Sequence, residues 1–158
     1  MDDSSGKALK YALRILGYRD RSMSEMRQKL AAKGFSMDVV DATLVRLEEK
    51  GFIDDRRFAE LLKRDAVERR NYGVQGTRRY LLKRGISPEI TDAVTDGDED
   101  YEGAARRLVE KKMKLMNDCS EDTARRRLWG LLSRRGFSAD TIYRVLKSIA
   151  TREDGNEG

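Results

Sequence analysis

The chain contains no histidine, one cysteine and one proline in 158 residues. Without histidine it lacks the most frequent general base of enzymes and the most frequent transition-metal ligand. Cys119 is alone, so it can form neither an internal disulfide nor a zinc site with a second thiol. We therefore expect no catalytic residues, no metal and no cofactor. The single reduced thiol suits a cytoplasmic location, which we also predict.

Long apolar segments are also missing. No apolar run approaches the ~20 residues of a membrane-spanning helix. The first residues, Met1-Asp2-Asp3-Ser4-Ser5, are acidic and unlike a signal peptide. Charged residues make up 39% of the sequence and the net charge is +5. This composition predicts a soluble, mostly helical protein without membrane contact, and it is compatible with a polyanionic partner.

A four-residue pattern recurs three times along the chain. It reads Lys33-Gly34-Phe35-Ser36, then Arg84-Gly85-Ile86-Ser87, then Arg135-Gly136-Phe137-Ser138, with the glycines 51 residues apart each time. A fixed period of this size indicates one supersecondary unit used three times. Such repeats build extended binding surfaces more often than active sites.

Helix signals divide each unit into three helices. Ser22 followed by Glu25 has the arrangement of a capping box, and Gly34 stands where that helix should end. Two segments without such signals are predicted to be irregular. Residues 72–76 form a predicted loop because two glycines three positions apart interrupt helical continuity. The acidic residues 96–100 form a predicted linker.

The sequence therefore predicts an all-α fold of three tandem three-helix repeats that form an elongated, curved helical array. The predicted repeats are residues 1–52, 53–97 and 98–151, and residues 152–158 are predicted to be a disordered tail after a last helix that fades at Ala150. Units of ~40 residues bury too little surface to be stable alone, so the repeats must pack on one another or on a partner.

The aromatic residues have predicted packing roles. Trp129, the only tryptophan, directly follows an apolar helical position, so we expect it in the core or between repeats. Tyr72, Tyr80 and Tyr143 could stack on nucleic-acid bases, but their spacings favour completing the helical bundles.

Two short motifs resemble parts of enzyme active sites, but neither is accompanied by the other residues that such a site needs. Asp54 and Asp55 are adjacent carboxylates, but they stand where the next helix needs a cap and no further ligands accompany them. The segment Gly73-Val74-Gln75-Gly76 lacks the lysine and the preceding strand of a phosphate-binding loop. A helix-turn-helix DNA reader stays open, because short helices joined by tight glycine turns also suit that motif.

Two windows of the sequence are basic and contain no Asp or Glu: residues 78–84 and 125–135. They lie at equivalent places in the second and third repeats and attract phosphate or an acidic protein surface. Neighbouring helical positions are about 100° apart, so some of these side chains must face ordinary solvent or form internal ion pairs. The candidate partner-binding or DNA-binding residues are Arg78, Arg79, Lys83, Arg84, Arg125, Arg126, Arg127, Arg134 and Arg135.

Several segments resemble the RecX family of regulatory proteins, in the order in which that family carries them. They are Ser24-Glu25-Met26-Arg27-Gln28-Lys29-Leu30, Lys50-Gly51-Phe52-Ile53-Asp54-Asp55-Arg56-Arg57-Phe58-Ala59, Gly73-Val74-Gln75-Gly76, Leu81-Leu82-Lys83-Arg84-Gly85-Ile86 and Arg134-Arg135-Gly136-Phe137-Ser138. The resemblance runs from about Ala8 to Ile149. The short last helix of the second unit and the acidic tail depart from the family pattern.

The resemblance implies a protein that binds RecA and the RecA–DNA filament and modulates, usually inhibits, RecA ATPase, strand exchange and the co-protease activity that triggers the SOS response. It also implies weaker direct binding to DNA, and it carries no catalytic residues. We predict that the chain is a monomer. The alternative is a stand-alone basic helical DNA-binding protein. The first function requires a preference for RecA-coated DNA, and the second requires salt-dependent binding to bare DNA.

Overall fold

The structure is a computed structural model that describes residues 3–97 and 100–154, with side chains as far as residue 149. These described residues form nine α-helices and no β-strand. The helices are α1 (Asp3–Leu16), α2 (Met23–Lys33), α3 (Met37–Glu49), α4 (Asp55–Glu68), α5 (Val74–Lys83), α6 (Pro88–Thr95), α7 (Tyr101–Met113), α8 (Glu121–Arg134) and α9 (Ala139–Asp154). The all-α prediction is confirmed.

Local signals set most helix ends. The Ser22 hydroxyl accepts the Glu25 amide at 3.0 Å, and the Glu25 carboxylate accepts the Ser22 amide at 3.2 Å. This is the predicted capping box, and it satisfies two amides that the first turn of α2 leaves without helical partners. The Ser120 hydroxyl accepts the Thr123 amide and caps α8 without a reciprocal bond. Gly34 ends α2 in the left-handed region with φ of 102°, as predicted.

The predicted loop at 72–76 is wrong in its second half. Helix α5 begins at Val74, and Gly76 lies inside it. The Gly73 carbonyl accepts the Thr77 amide at 2.9 Å, so helical bonding starts directly at the first glycine. These two glycines leave room for another part of the chain.

The last helix and the acidic linker also differ from expectation. Helix α9 continues to Asp154, so the predicted fading at Ala150 is wrong, and the remaining tail residues 155–158 lie outside the described residues. Within the predicted linker, residues 98 and 99 lie outside the described residues. The Asp100 carboxylate accepts the Gly103 amide at 2.8 Å and caps α7, so the linker ends in a helix cap.

The chain divides into two compact units. Unit 1 comprises Met1–Leu61 and Leu81–Val94, and unit 2 comprises Leu62–Tyr80 and Thr95–Gly158. The division runs through helices α4 and α5, so residues of the predicted second repeat belong to both units. The three predicted domain boundaries and the elongated, curved arrangement of the repeats stay predictions.

The core of unit 1 is built from α1, α2 and α3. The predicted apolar stripe of α3 is buried there, together with Met26 and Leu30 of α2, both 0% exposed. Thr43 belongs to this stripe and is buried because its hydroxyl donates to the Val39 carbonyl at 2.7 Å. A buried hydroxyl without such a partner costs free energy, so this bond makes a polar residue tolerable in the stripe.

The core of unit 2 is built from α7, α8 and α9. Its fully or almost fully buried members include Ala105, Leu108, Leu132, Ile142 and Val145. The sequence predicted these positions from their helical spacing, and the structure confirms them. Burying a side chain of leucine size contributes roughly 1.5 to 3 kcal/mol, so this cluster supplies much of the driving force for folding unit 2.

Three glycines of unit 2 bring two turns of the chain into direct backbone contact. We call Gly73, Gly76 and Gly136 the glycine junction. The Gly73 amide donates to the Arg135 carbonyl at 2.9 Å, and the Gln75 amide donates to the Gly136 carbonyl at 3.0 Å. A Cβ atom at Gly73 would overlap the Phe137 backbone, and one at Gly76 would overlap the Arg135 carbonyl. Glycine is therefore required here by the close approach of two backbones.

Candidate functional site

The structure separates the candidate basic residues into two groups. Lys83 and Arg84 belong to unit 1, and the other seven candidates belong to unit 2. Lys83 is exposed and forms no ion pair or hydrogen bond with the described residues. The first window, residues 78–84, is thus divided between the units.

Arg84 is held inside unit 1 by a carboxylate and an aromatic ring. Its Nε atom lies 3.6 Å from Glu25 Oε2, and its guanidinium lies 5.3 Å from the centre of the Phe58 ring. Arg19 contacts the same carboxylate at 3.0 Å. Burial raises the pKa of Glu25, but hydrogen bonds from Arg19 and the Ser22 amide, with the charge of Arg84, outweigh it and lower that pKa. Arg84 therefore stabilises an ionised Glu25, which is a structural role.

Arg135 is fixed at the glycine junction. Its side chain donates to the Arg70 carbonyl and lies 5.9 Å from the centre of the Tyr72 ring. Arg79 reaches the same place, because its Nη2 donates to the Arg134 carbonyl at 3.3 Å. The structure thus brings together Arg79 from the first window with Arg134 and Arg135 from the second.

A charged and aromatic cluster lies next to Arg135. It is formed by residues of α4, of α5 and of the turn between them. Arg70 Nε lies 2.9 Å from Asp65 Oδ2, and the Tyr80 hydroxyl donates to the same oxygen at 3.1 Å. The hydrogen bond from Arg70 lowers the pKa of Asp65 below its ordinary value, against the opposing effect of burial. The rings of Tyr72 and Tyr80 pack edge to face at 6.0 Å, which confirms their predicted packing role.

Arg107 is a structural cation that sequence reasoning missed. Its guanidinium donates to the Val67 carbonyl at 3.1 Å and to the Asn71 side chain at 3.4 Å. Asn71 has a positive φ of 51°, which asparagine tolerates better than most residues. In the sequence, the asparagine directly before Tyr72 and Gly73 indicates a turn. It does not indicate that Arg107 binds this turn. Arg78 has a similar local role, since it is half-buried and its Nη1 lies 3.5 Å from the Thr95 hydroxyl.

Helix α8 carries the basic side chains that are most available. Arg125 and Arg126 are exposed, and neither has a hydrogen bond or ion pair to another described residue. Arg127 Nη1 lies 3.2 Å from Cys119 Sγ. The Arg134 side chain is exposed and extends beside Gly130, where an added Cβ would lie 3.2 Å from its Nη1 atom. This helix therefore presents positive charge that the described chain does not neutralise.

Trp129 and Tyr143 do not occupy the predicted core positions. Trp129 is 41% exposed and Tyr143 is 59% exposed. Leu128 is 4% exposed and Leu132 is 0% exposed, so the core side of α8 is the side of these leucines. Trp129 is rotated about 100° from Leu128 around the helix and leaves the core for that reason. The core placement expected for Trp129 is therefore wrong, and its placement between repeats stays a prediction. Tyr143 does not complete the bundle core as predicted.

The adjacent carboxylates of α4 have structural partners. Asp54 Oδ1 accepts the Arg57 amide at 3.1 Å, which is the predicted helix cap. Asp55 Oδ1 accepts the Met23 amide at 2.8 Å and so joins the start of α4 to the start of α2 within unit 1. Burial raises the pKa of Asp55, and the bond from the Met23 amide opposes that rise. Among the described residues no group of three or more Cys, Asp or Glu side chains is placed to hold a metal ion.

Within the described part of the chain, no helix has both the length and the apolar character that crossing a membrane requires. A cavity of 380 Å³ lies between α7, α8 and α9 of unit 2. Its lining includes Met113, Met116, Cys119, Arg125 and Leu128. The lining also includes the polar and charged residues Asn117, Glu121 and Asp122.

Three models of three-helix domains match the chain in sequence order. They describe the first, second and third three-helix domains of RecX and match residues 8–47, 54–94 and 98–146. The chain is also 32% identical over 154 residues to the Regulatory protein RecX of Chlorobaculum tepidum, which covers 97% of this chain and 95% of that protein. The chain belongs to the RecX family. The prediction of three three-helix repeats is thereby confirmed.

Other RecX proteins support the same assignment. The Regulatory protein RecX of Trichlorobacter lovleyi is 35% identical over 144 residues, covering 86% of this chain and 91% of that protein. The crystal structure of RecX from Lactobacillus salivarius superposes with a TM-score of 0.86 at 22% identity, covering 96% of this chain and 99% of that chain. At that identity the superposition shows a shared fold. The two basic windows fall in the second and third RecX domains.

Proposed function

We propose that this RecX-family chain regulates the RecA recombinase in the cytoplasm by binding RecA and RecA–DNA filaments, without catalysing a reaction itself. Binding lowers RecA ATPase, strand exchange and co-protease activity. Membership of a family of regulatory proteins supports a regulatory role. The observation that carries the proposed binding mode is the unpaired positive charge on α8 of unit 2.

The exposed arginines of α8 suit an anionic partner. Arg125 and Arg126 have no carboxylate partner among the described residues, and Arg134 extends along the same helix. A charge that is already solvated and unpaired loses no internal ion pair when a partner binds. Such charges steer association and select partners of opposite potential. The DNA of a RecA filament supplies phosphate, and in this proposal carboxylates of RecA pair with the same arginines.

The structure also identifies candidates that are poor choices for testing this proposal. Arg84 holds Glu25, and Arg135 holds the Arg70 carbonyl at the glycine junction. Reversing either charge would remove internal bonds as well as any contact with a partner. A loss of function in such variants could therefore be caused by misfolding as readily as by a lost contact with the partner.

The proposed inhibition needs no chemistry. Binding in the helical groove of the filament brings the chain against neighbouring RecA protomers. Once one contact forms, the effective concentration of the next contact rises, so several weak contacts give firm attachment. Linked protomers resist the rearrangements that accompany ATP hydrolysis, and the occupied groove excludes other ligands.

The test compares two double charge reversals. Arg125→Glu with Arg126→Glu changes the candidate surface, and Lys10→Glu with Lys29→Glu makes the same change of net charge on exposed, unpaired residues of α1 and α2. We expect the first variant to bind RecA–DNA filaments at least about tenfold more weakly, which equals ~1.4 kcal/mol. The control variant should inhibit RecA ATPase like the unmodified chain.

Co-sedimentation with RecA-coated and bare single-stranded DNA measures the partner preference, and ATPase assays measure inhibition. Equal binding to both forms of DNA would replace the proposal with a general DNA-binding function. Equal losses in the two variants would show that only net charge matters and would reject α8 as the contact surface.

A further inference from the structure

The solvent-facing side of α8 carries an unusual combination of residues. Asp122, Arg126 and Gly130 follow one another at four-residue steps, and Trp129 and Ser133 lie three residues after Arg126 and Gly130, so all five share one side of the helix. We call this set the outer face of α8. The buried leucines of the same helix point away from it. Asp122 also lines the cavity beside Leu128, whereas Arg126, Trp129 and Ser133 are exposed and are available to a partner.

Trp129 is the main feature of the outer face. It is the only tryptophan in the chain and is 41% exposed. An exposed indole gives up stabilisation that burial would supply, and tryptophan is among the residues that contribute most at protein interfaces. No aromatic ring or cation packs on this indole within the described part of the chain.

No close backbone contact among the described residues requires glycine at position 130, in contrast to the glycine junction. The Gly130 backbone is helical, and the nearest atom to an added Cβ is the flexible end of Arg134 at 3.2 Å. Glycine in a helix interior is less favourable than alanine. Gly130 and Ser133 leave the helix backbone accessible beside the Trp129 ring. A second polypeptide segment can approach closely at this point.

The charges of the outer face favour a protein over a nucleic acid. Arg126 is unpaired and attracts a carboxylate or a phosphate equally well. Asp122, one turn away on the same face, repels a phosphate backbone but pairs readily with a cation of a peptide. The mixed charges around an apolar centre are therefore complementary to an amphipathic polypeptide segment.

We propose that the outer face of α8 is the docking site for an amphipathic segment of the protein partner, with an apolar side chain against Trp129 and a carboxylate against Arg126. This inference rests on the proposed function, which makes RecA the source of that segment. The small side chains at Gly130 and Ser133 admit the segment's backbone next to the indole.

The direct test replaces Trp129 with the photoreactive p-benzoylphenylalanine and irradiates the chain bound to RecA filaments on single-stranded DNA. We expect a covalent adduct with a RecA peptide that contains an acidic residue. Tyr143→p-benzoylphenylalanine is the matched control, because Tyr143 is an exposed aromatic residue of α9 in the same unit. It should give little adduct.

Affinity measurements complete the test. We expect Trp129→Ala to weaken filament binding about tenfold and Trp129→Phe to retain most of it. Gly130→Ala should raise the melting temperature, because alanine favours helix, while weakening filament binding at least about threefold. A merely structural role for Gly130 would not produce these opposite effects.

The outcomes separate the inference from the proposed function. Filament binding with no RecA adduct from position 129 and full affinity in Trp129→Ala would overturn the docking site and leave RecA regulation standing. An adduct with DNA in place of RecA would identify the face as a nucleic-acid surface and also overturn the inference. If the unmodified chain does not sediment with RecA filaments, both proposals fail.

Discussion

Replacing Gly136 with alanine tests the glycine junction most directly. Gly136 has φ of 85°, and an alanine Cβ there would overlap the Gly76 amide nitrogen and lie 2.6 Å from Gly76 Cα. Gly34 provides a matched control, because its φ is 102° and an added Cβ would meet nothing within 4 Å. Both variants incur the strain of a left-handed alanine, roughly 1 to 2 kcal/mol. Only the variant at Gly136 also forces two backbones apart.

The additional cost at Gly136 follows from the hydrogen bonds of the junction. Relieving the overlap separates the α8–α9 turn from the start of α5, which breaks the bonds from the Gly73 and Gln75 amides. Each backbone bond contributes about 0.5 to 1.5 kcal/mol net. We therefore expect Gly136→Ala to lower the free energy of unfolding by about 1 to 3 kcal/mol more than Gly34→Ala.

Native-state hydrogen exchange measures this difference within each unit. Amides of α8 report unit 2 for Gly136→Ala, and amides of α3 report unit 1 for Gly34→Ala. Urea titrations followed by circular dichroism give the corresponding global values. If the two substitutions cost the same within about 0.5 kcal/mol, the close backbone approach at Gly136 is refuted.

Two further predictions concern an ion pair and a helix cap. Asp65 has a lowered pKa in the folded chain because of Arg70, so its stabilisation is complete above about pH 4 and is lost as pH falls through the folded pKa. Lowering the pH from 7 to 3 should therefore reduce the urea midpoint of Asp65→Asn less than that of the unmodified chain. Equal reductions would contradict the pairing of Asp65 with Arg70. Ser22→Ala removes the capping box with Glu25 and should cost about 1 kcal/mol in urea unfolding. The exposed control Ser133→Ala should stay within about 0.5 kcal/mol, and a Ser22→Ala value in that range would show that the cap contributes little.

The sequence was most informative where a helix is set by its own neighbours. The capping box at Ser22, the stop at Gly34 and the buried stripe of α9 depend on residues a few positions apart. Helical spacing also assigned the first and third helices of the third repeat to its core. These features could be predicted because the interactions that create them are local.

Predictions failed where the deciding partner lies far along the chain. Gly76 looked like a loop residue, but its small size is required by a carbonyl of Arg135. Arg84 and Arg135 looked like surface charges, but Glu25 and the Arg70 carbonyl hold them in place. Trp129 sits at the edge of the apolar stripe of α8, where spacing alone does not decide between core and solvent.

The path of the chain through the two units constrains how the protein is made. Residues 62–80 emerge from the ribosome before any of the 95–154 segment with which they pack, and unit 1 stays incomplete until residues 81–94 have followed. At about 5 to 20 residues per second, synthesis from residue 80 to the end of α9 takes roughly 4 to 15 seconds. During that interval the core cluster that contains Val67, which is 4% exposed in the finished protein, lacks part of its residues from α7 to α9. The nascent chain thus carries unsatisfied apolar surface until α9 has been made, and a chaperone that binds nascent chains would be most useful at this segment.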